Sequence, residues 1–124
     1  MSVSKKILII DDEEYIANML ELNLKEIGYD CRKCTTTQEG IKTAQEYIPD
    51  LIIMDIMMPN IDGLEATKIL KNNKLTRNIP ILILSAKSTE EDLEEARLAG
   101  ADGFICKPIL PQKLIKQINA ILDK

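Results

Sequence analysis

The sequence predicts an α/β fold of three layers, a parallel sheet of five strands covered by helices on both faces. Three observations predict it. Five short apolar runs alternate with longer segments of helical periodicity along the whole 124-residue chain. Three of those runs, ILII, LIIM and ILIL, are continuous, as strands buried on both faces require. Each pair of runs is separated by enough chain for one helix, so the crossovers are right-handed and the strands parallel.

The strands are predicted at Lys6–Ile10, Asp30–Cys34, Leu51–Met54, Ile81–Leu84 and Gly103–Cys106. The first helix, near 13–27, has Ile16, Met19, Leu20, Leu24 and Ile27 at helical spacing, with Gly28 placed to cap it. The second, near 37–48, stops before Pro49, which cannot continue a helix. A third is expected near 63–73. The fourth, near 89–99, opens on Thr89-Glu90-Glu91-Asp92, acidic beside the helix dipole. Its apolar face is thin, only Leu93, Ala96 and Leu98, so it is expected to be loosely packed. The fifth, near 111–123, sets Leu114, Ile115, Ile118, Ile121 and Leu122 on one face, with Lys113, Lys116 and Lys124 off it. Alternation alone leaves a flavodoxin-like and a Rossmann-like sandwich both open.

Composition bounds the function. With 45% hydrophobic and 29% charged residues, the chain reads as one globular domain, residues 1–124, with no output domain after the fifth helix. The core must be aliphatic, since Phe104, Tyr15, Tyr29 and Tyr47 are the only aromatic residues. A net charge of -4 argues against direct nucleic-acid binding, and no run is long enough for a signal or membrane span. A cytoplasmic protein with reduced thiols is expected.

In a doubly wound sheet the functional crevice lies beyond the carboxyl ends of the strands. Asp11 and Asp12 follow the first strand, Asp55 the third, Ser85 the fourth and Lys107 the fifth. Singly, each has an ordinary structural reading: a helix cap, a turn residue, a solvated side chain. Together they bring three carboxylates, a hydroxyl and an ammonium to one rim. Two like charges about 4 Å apart repel by about 4 kcal/mol at an effective dielectric near 20. A divalent cation relieves that repulsion, and with oxygen ligands only and no His, Mg²⁺ suits the site better than Zn²⁺. One carboxylate remains as nucleophile, Lys107 can neutralise phosphoryl charge, and Ser85 can donate to it. The set describes phosphoryl transfer.

Asp11-Asp12, the stretch from Pro49 to Gly63 containing D-x-x-M-P-x-x-x-G, then Leu84-Ser85-Ala86 and Lys107-Pro108 resemble the bacterial two-component response-regulator receiver family, chemotaxis-regulator-like. The likeness covers essentially the whole chain, in order and spacing. It implies the flavodoxin-like strand order 2-1-3-4-5. It implies that Asp55 accepts phosphate from a histidine kinase or histidine phosphotransfer protein. It also implies that Asp12, Asp55 and the Met57 carbonyl hold Mg²⁺, Asp11 acting mainly through metal-bound water. Ser85 and Lys107 would contact the phosphoryl oxygens, Phe104 would be the switch aromatic, and the Lys107-Pro108 bond would be cis. The output face would be the fourth helix, fifth strand and fifth helix, meeting a downstream partner.

The resemblance also implies that Met57 and Lys87 flank the path of the hydrolytic water. An apolar Met57 cannot orient it and Lys87 can screen the phosphoryl group, so autodephosphorylation is expected to be slow. Phe104 lacks a hydroxyl and is expected to lean inward before phosphorylation. Such a protein is a switch with self-catalysed phosphoryl transfer, not an enzyme.

Other signals are weaker. Cys31 and Cys34 form a C-x-x-C match inside a strand, where residues three apart face opposite sides, so structural cysteines are expected, and Cys106 is alone. Met54, Met57 and Met58 read as core and loop filling, and the acidic cluster of Glu90, Glu91, Asp92, Glu94 and Glu95 as a solvated face. A flavodoxin-like carrier needs a hydroxyl- and glycine-rich loop where this chain has Asp11-Asp12-Glu13-Glu14. A haloacid-dehalogenase-type phosphatase needs a D-x-D pattern after the first strand. A pseudo-receiver needs no phosphorylation site, yet every site residue is present. A receiver excised from a longer DNA-binding regulator or a hybrid kinase stays open beside a stand-alone regulator.

Overall fold

The computed structural model describes residues 4–86 and 89–123. Strands β1 (Lys6–Ile10), β2 (Asp30–Cys34), β3 (Leu51–Asp55), β4 (Ile81–Ser85) and β5 (Gly103–Cys106) alternate with α1 (Glu14–Glu26), α2 (Thr37–Tyr47), α3 (Gly63–Lys71), α4 (Glu90–Ala99) and α5 (Pro111–Leu122). The sheet is parallel throughout, in the order β2-β1-β3-β4-β5. Of the two architectures that alternation left open, this is the flavodoxin-like one.

Strand residues alternate between two cores, because successive side chains point to opposite faces. Ile7, Ile9, Leu51, Ile53, Leu82, Leu84 and Ile105 pack against Ala17, Leu20 and Leu24 of α1 and Leu114 and Ile118 of α5. Leu8, Ile10, Ile52, Met54, Ile81 and Ile83 face Ala44, Ala66, Leu70 and Ala96 of α2, α3 and α4. Each fully buried large aliphatic contributes about 1.5–3 kcal/mol, which explains how a chain with four aromatic residues holds its core. Cys31 belongs to the first core and Cys34 to the second, so the C-x-x-C pair is split by the sheet.

Several helix ends differ from the periodicity. Gly28 has φ +104° and donates to Lys25 O, while Tyr29 N–H donates to Leu24 O, a closed C-terminal motif. It turns Ile27 out of the apolar face into solvent. At α4, Thr89 and Asp92 form a reciprocal capping box. Only Ala96 and Ala99 are buried on α4, and Leu98, assigned above to its apolar face, is 71% exposed. The thin anchorage stands, and it is thinner than expected. Met57 is also 61% exposed, so it does not fill the loop as Met54 and Met58 fill the core.

Candidate functional site

The sheet order places the site. The chain runs outward from β1 to β2 and then back across to β3, opening a crevice between β1 and β3 at their carboxyl ends. Ile10 is in register with Met54, so Asp11 leaves β1 beside Asp55. Asp55 and Ser85 are the last residues of β3 and β4 rather than the first beyond them, one residue further than the apolar runs indicate. The ladder extends because Ile56 N–H donates to Leu84 O and Lys107 N–H to Ser85 O.

Asp11 and Asp55 are buried while Asp12 is exposed. One oxygen of each of these three carboxylates lies within 4.8 Å of the others. Asp11 Oδ1 accepts from Glu13 N–H at 2.9 Å, and Asp55 Oδ1 from Met57 N–H at 3.3 Å. The second oxygens face Lys107 Nζ, Asp11 Oδ2 at 3.6 Å and Asp55 Oδ2 at 3.3 Å. Asp11 Oδ2 is buried and accepts no hydrogen bond.

Burial raises the Asp11 carboxyl from 3.8 to about 6, with the Asp55 charge adding to it and the Glu13 N–H and Lys107 opposing. Burial works against the Lys107 ammonium, but Asp11, Asp55 and Glu13 outweigh it, and its pKa lies above that of an ordinary lysine. An unsatisfied buried carboxylate oxygen in an all-oxygen cluster is the setting a hard cation relieves. The donor set therefore fits Mg²⁺.

Among the predicted site residues, Asp11, Asp12, Asp55 and Lys107 converge on one crevice. Ser85 is buried at the adjacent strand end. Phe104 is half-buried against the core beneath α4. Met57 stands at the mouth with Asp12, Ile56, Met58, Pro59 and Asp62. Lys87 lies outside the described residues. The Lys107-Pro108 bond is cis. Sequence reasoning missed Glu13, whose Oε1 accepts a hydrogen bond from Lys107 Nζ at 3.2 Å. Its place directly after the acidic pair was the available signal.

A family model, that of the response regulator receiver domain, matches residues 7–119. The chain belongs to the response-regulator receiver family. It is 41% identical over 122 residues to the alkaline phosphatase synthesis transcriptional regulatory protein PhoP of Bacillus subtilis, covering 98% of this chain and 50% of that one. It is 32% identical to the polar-differentiation response regulator DivK of Brucella ovis, covering 97% and 98%. Its fold matches the chemotaxis protein CheY4 of Vibrio cholerae with a TM-score of 0.93 at 30% identity, covering 97% and 100%. The chain thus spans about half the length of the first of these and nearly all of the other two. Receiver domains are phosphorylation-dependent switches of two-component signalling that interact with histidine kinases or phosphotransfer proteins, and as a family they bind Mg²⁺ at an acidic pocket. No helix among the described residues is long and apolar enough to cross a membrane.

The glycine of the receiver's D-x-x-M-P-x-x-x-G segment has a local physical reason. A Cβ on Gly63 would sit 2.2 Å from the Asp55 carbonyl oxygen and 2.8 Å from Ile56 Cα, so α3 starts directly against the backbone that carries Asp55. Gly63→Ala is expected to cost about 1–2 kcal/mol in urea unfolding. Overpacking of about 1–3 kcal/mol outweighs the helix-propensity gain of up to about 1 kcal/mol. A stabilised variant would mean that α3 shifts freely.

Proposed function

We propose that Asp55 is the phosphoacceptor of this receiver, with the switch carried by Ser85 and Phe104 to the surface of α4, β5 and α5. The observation that carries the reading is the Lys107 ammonium set against both Asp11 and Asp55 in a crevice of three carboxylates. Asp11, Asp12, Asp55 and the Met57 carbonyl would hold Mg²⁺, which when bound supplies positive charge to the phosphoryl oxygens. Asp55 attacks the phosphorus of a phosphohistidine; the P–N bond breaks and its electron pair stays on the departing imidazole. Lys107 and Ser85 then contact the phosphoryl oxygens. Drawing Ser85 towards them opens space for Phe104, and α4, held by two buried alanines, has little packing to lose.

The donor is a sensor histidine kinase or phosphotransfer protein, and the output is a partner bound on the α4-β5-α5 face in the cytoplasm. The domain acts without nucleic acid or membrane contact of its own, and its catalysis is limited to its own phosphorylation and slow dephosphorylation. A second reading, the receiver of a longer DNA-binding regulator, is favoured by the transcriptional regulatory protein of which it spans 50%.

Two-dimensional NMR with Mg²⁺ and beryllofluoride tests the switch. The expected result is that the amides of Ser85, Phe104 and α4 shift together, and only when both components are present. Changes confined to Asp11–Glu13 and Asp55 would contradict transmission to α4. Met57, exposed and apolar, offers no hydrogen bond to a hydrolytic water. Met57→Asn is expected to shorten the lifetime of the phosphorylated form at least several-fold, because the amide gives the hydrolytic water a hydrogen-bonding partner. An unchanged lifetime would remove Met57 from the account.

A further inference from the structure

A lysine ammonium offers three N–H donors. Around Lys107 stand three carboxylate oxygens: Glu13 Oε1 at 3.2 Å, Asp55 Oδ2 at 3.3 Å and Asp11 Oδ2 at 3.6 Å. The two aspartates are buried at strand ends, but the Glu13 side chain is 59% exposed. Glu13 is the N-cap of α1, and its side chain makes no capping hydrogen bond to that helix. Its backbone N–H instead fixes Asp11 Oδ1, and its carboxylate takes the Lys107 ammonium.

We propose that Glu13 is a positioning residue that holds Lys107 in the resting protein and gives up that place to the phosphoryl group on Asp55. The inference rests on the reading of Asp55 as phosphoacceptor. Of these three oxygens Glu13 Oε1 accepts the hydrogen bond that Lys107 Nζ donates, while Asp11 Oδ2 accepts none, so a phosphoryl oxygen drawn to the ammonium competes first with Glu13. Releasing Asp11 would strand a buried charge, which is costly, while Asp55 has given up its own carboxylate charge once it carries the phosphoryl group. Releasing Glu13 returns an exposed carboxylate to water, which costs little. Until then Glu13 competes for Lys107 and opposes the approach of an anionic phosphodonor. It raises the threshold for switching.

The test compares the parent chain with Glu13→Gln in saturating Mg²⁺. Intact mass gives the rate of phosphorylation by acetyl phosphate, and ¹⁹F NMR gives the affinity for beryllofluoride. The amide is expected to raise both by about threefold, the size of a partly exposed ion pair. The gain should shrink at high salt, and the gain in rate should vanish when Lys107→Ala is also present. A role confined to the end of α1 would move the unfolding midpoint and leave both quantities unchanged, which would overturn the proposal. A rate gain that persists without Lys107 would overturn it too. A parent chain that takes no phosphoryl group would overturn the Asp55 reading itself, and this inference with it.

Discussion

Asp11→Asn is expected to stabilise the metal-free protein at pH 7 by about 2 kcal/mol and to abolish its stabilisation by Mg²⁺. The sign follows from the raised Asp11 carboxyl, at about 6 in the folded chain against an ordinary 3.8. Between those values the folded state binds more protons than the unfolded one, so stability falls as pH rises through that window. Two pK units correspond to about 3 kcal/mol, fully incurred above pH 6. The amide removes the charge and keeps an oxygen for the Glu13 N–H. It leaves an N–H₂ to satisfy, which returns part of the gain. Urea unfolding at pH 7 and near pH 4 measures this directly. The parent should be the more pH-sensitive of the two, and the stabilising effect of the substitution should fade towards pH 4. A parent whose metal-free stability rises from pH 4 to 7 through this site would contradict the account. Mg²⁺ should stabilise the parent increasingly as pH rises past 6, because the cation needs the ionised form.

Lys107→Ala should act in the opposite direction. Among the described residues Lys107 is the cation that faces both buried aspartates, and its removal takes away that compensation. Breaking a buried ion pair from one side costs about 3–5 kcal/mol. Here part of that is recovered, because Asp11 can hold its proton to a still higher pH. A loss of about 3 kcal/mol at pH 7 is expected in the metal-free protein, smaller at pH 4 and smaller in Mg²⁺. A variant as stable as the parent at pH 7 would show that solvent screens the cluster. The pair of substitutions separates charge from packing: one aspartate removed relieves the site, one lysine removed aggravates it.

The sheet was legible because burial on both faces writes itself into consecutive letters. The runs ILII, LIIM and ILIL leave no polar face, and their ends fall within one residue of β1, β3 and β4. The site was legible for a related reason: Asp11, Asp55 and Lys107 each stand at a strand end, and a parallel sheet delivers every such end to one rim. Tertiary partnerships left weaker traces. Glu13 meets Lys107 across 94 positions, and an acidic residue at a helix start has a sufficient local explanation. Leu98 and Ile27 fit the helical period and are nonetheless exposed, since period tells which residues share a face but not how far the neighbouring layer reaches. The exposure of Met57 has a different origin. It lies in the β3–α3 loop, where neither periodicity constrains a side chain.

Those exposed leucines bear on how the switch works. Leu93 and Leu98 leave α4 with two alanines as its buried contacts, yet its ends are well capped by the Thr89–Asp92 box and by Gly100. A helix that is sound in itself and weakly attached can move as a unit. Ala96 and Phe104 share the core on that side of the sheet, which places the aromatic ring where α4 is attached.

In the proposed function Asp55 takes the phosphoryl group and its neighbours make this possible. Intact-mass measurement after incubation with Mg²⁺ and acetyl phosphate tests it most directly. The expected result is the gain of a single phosphoryl group, absent when Mg²⁺ is chelated beforehand and absent in Asp55→Ala. No gain in the parent, or labelling that survives Asp55→Ala, would contradict it.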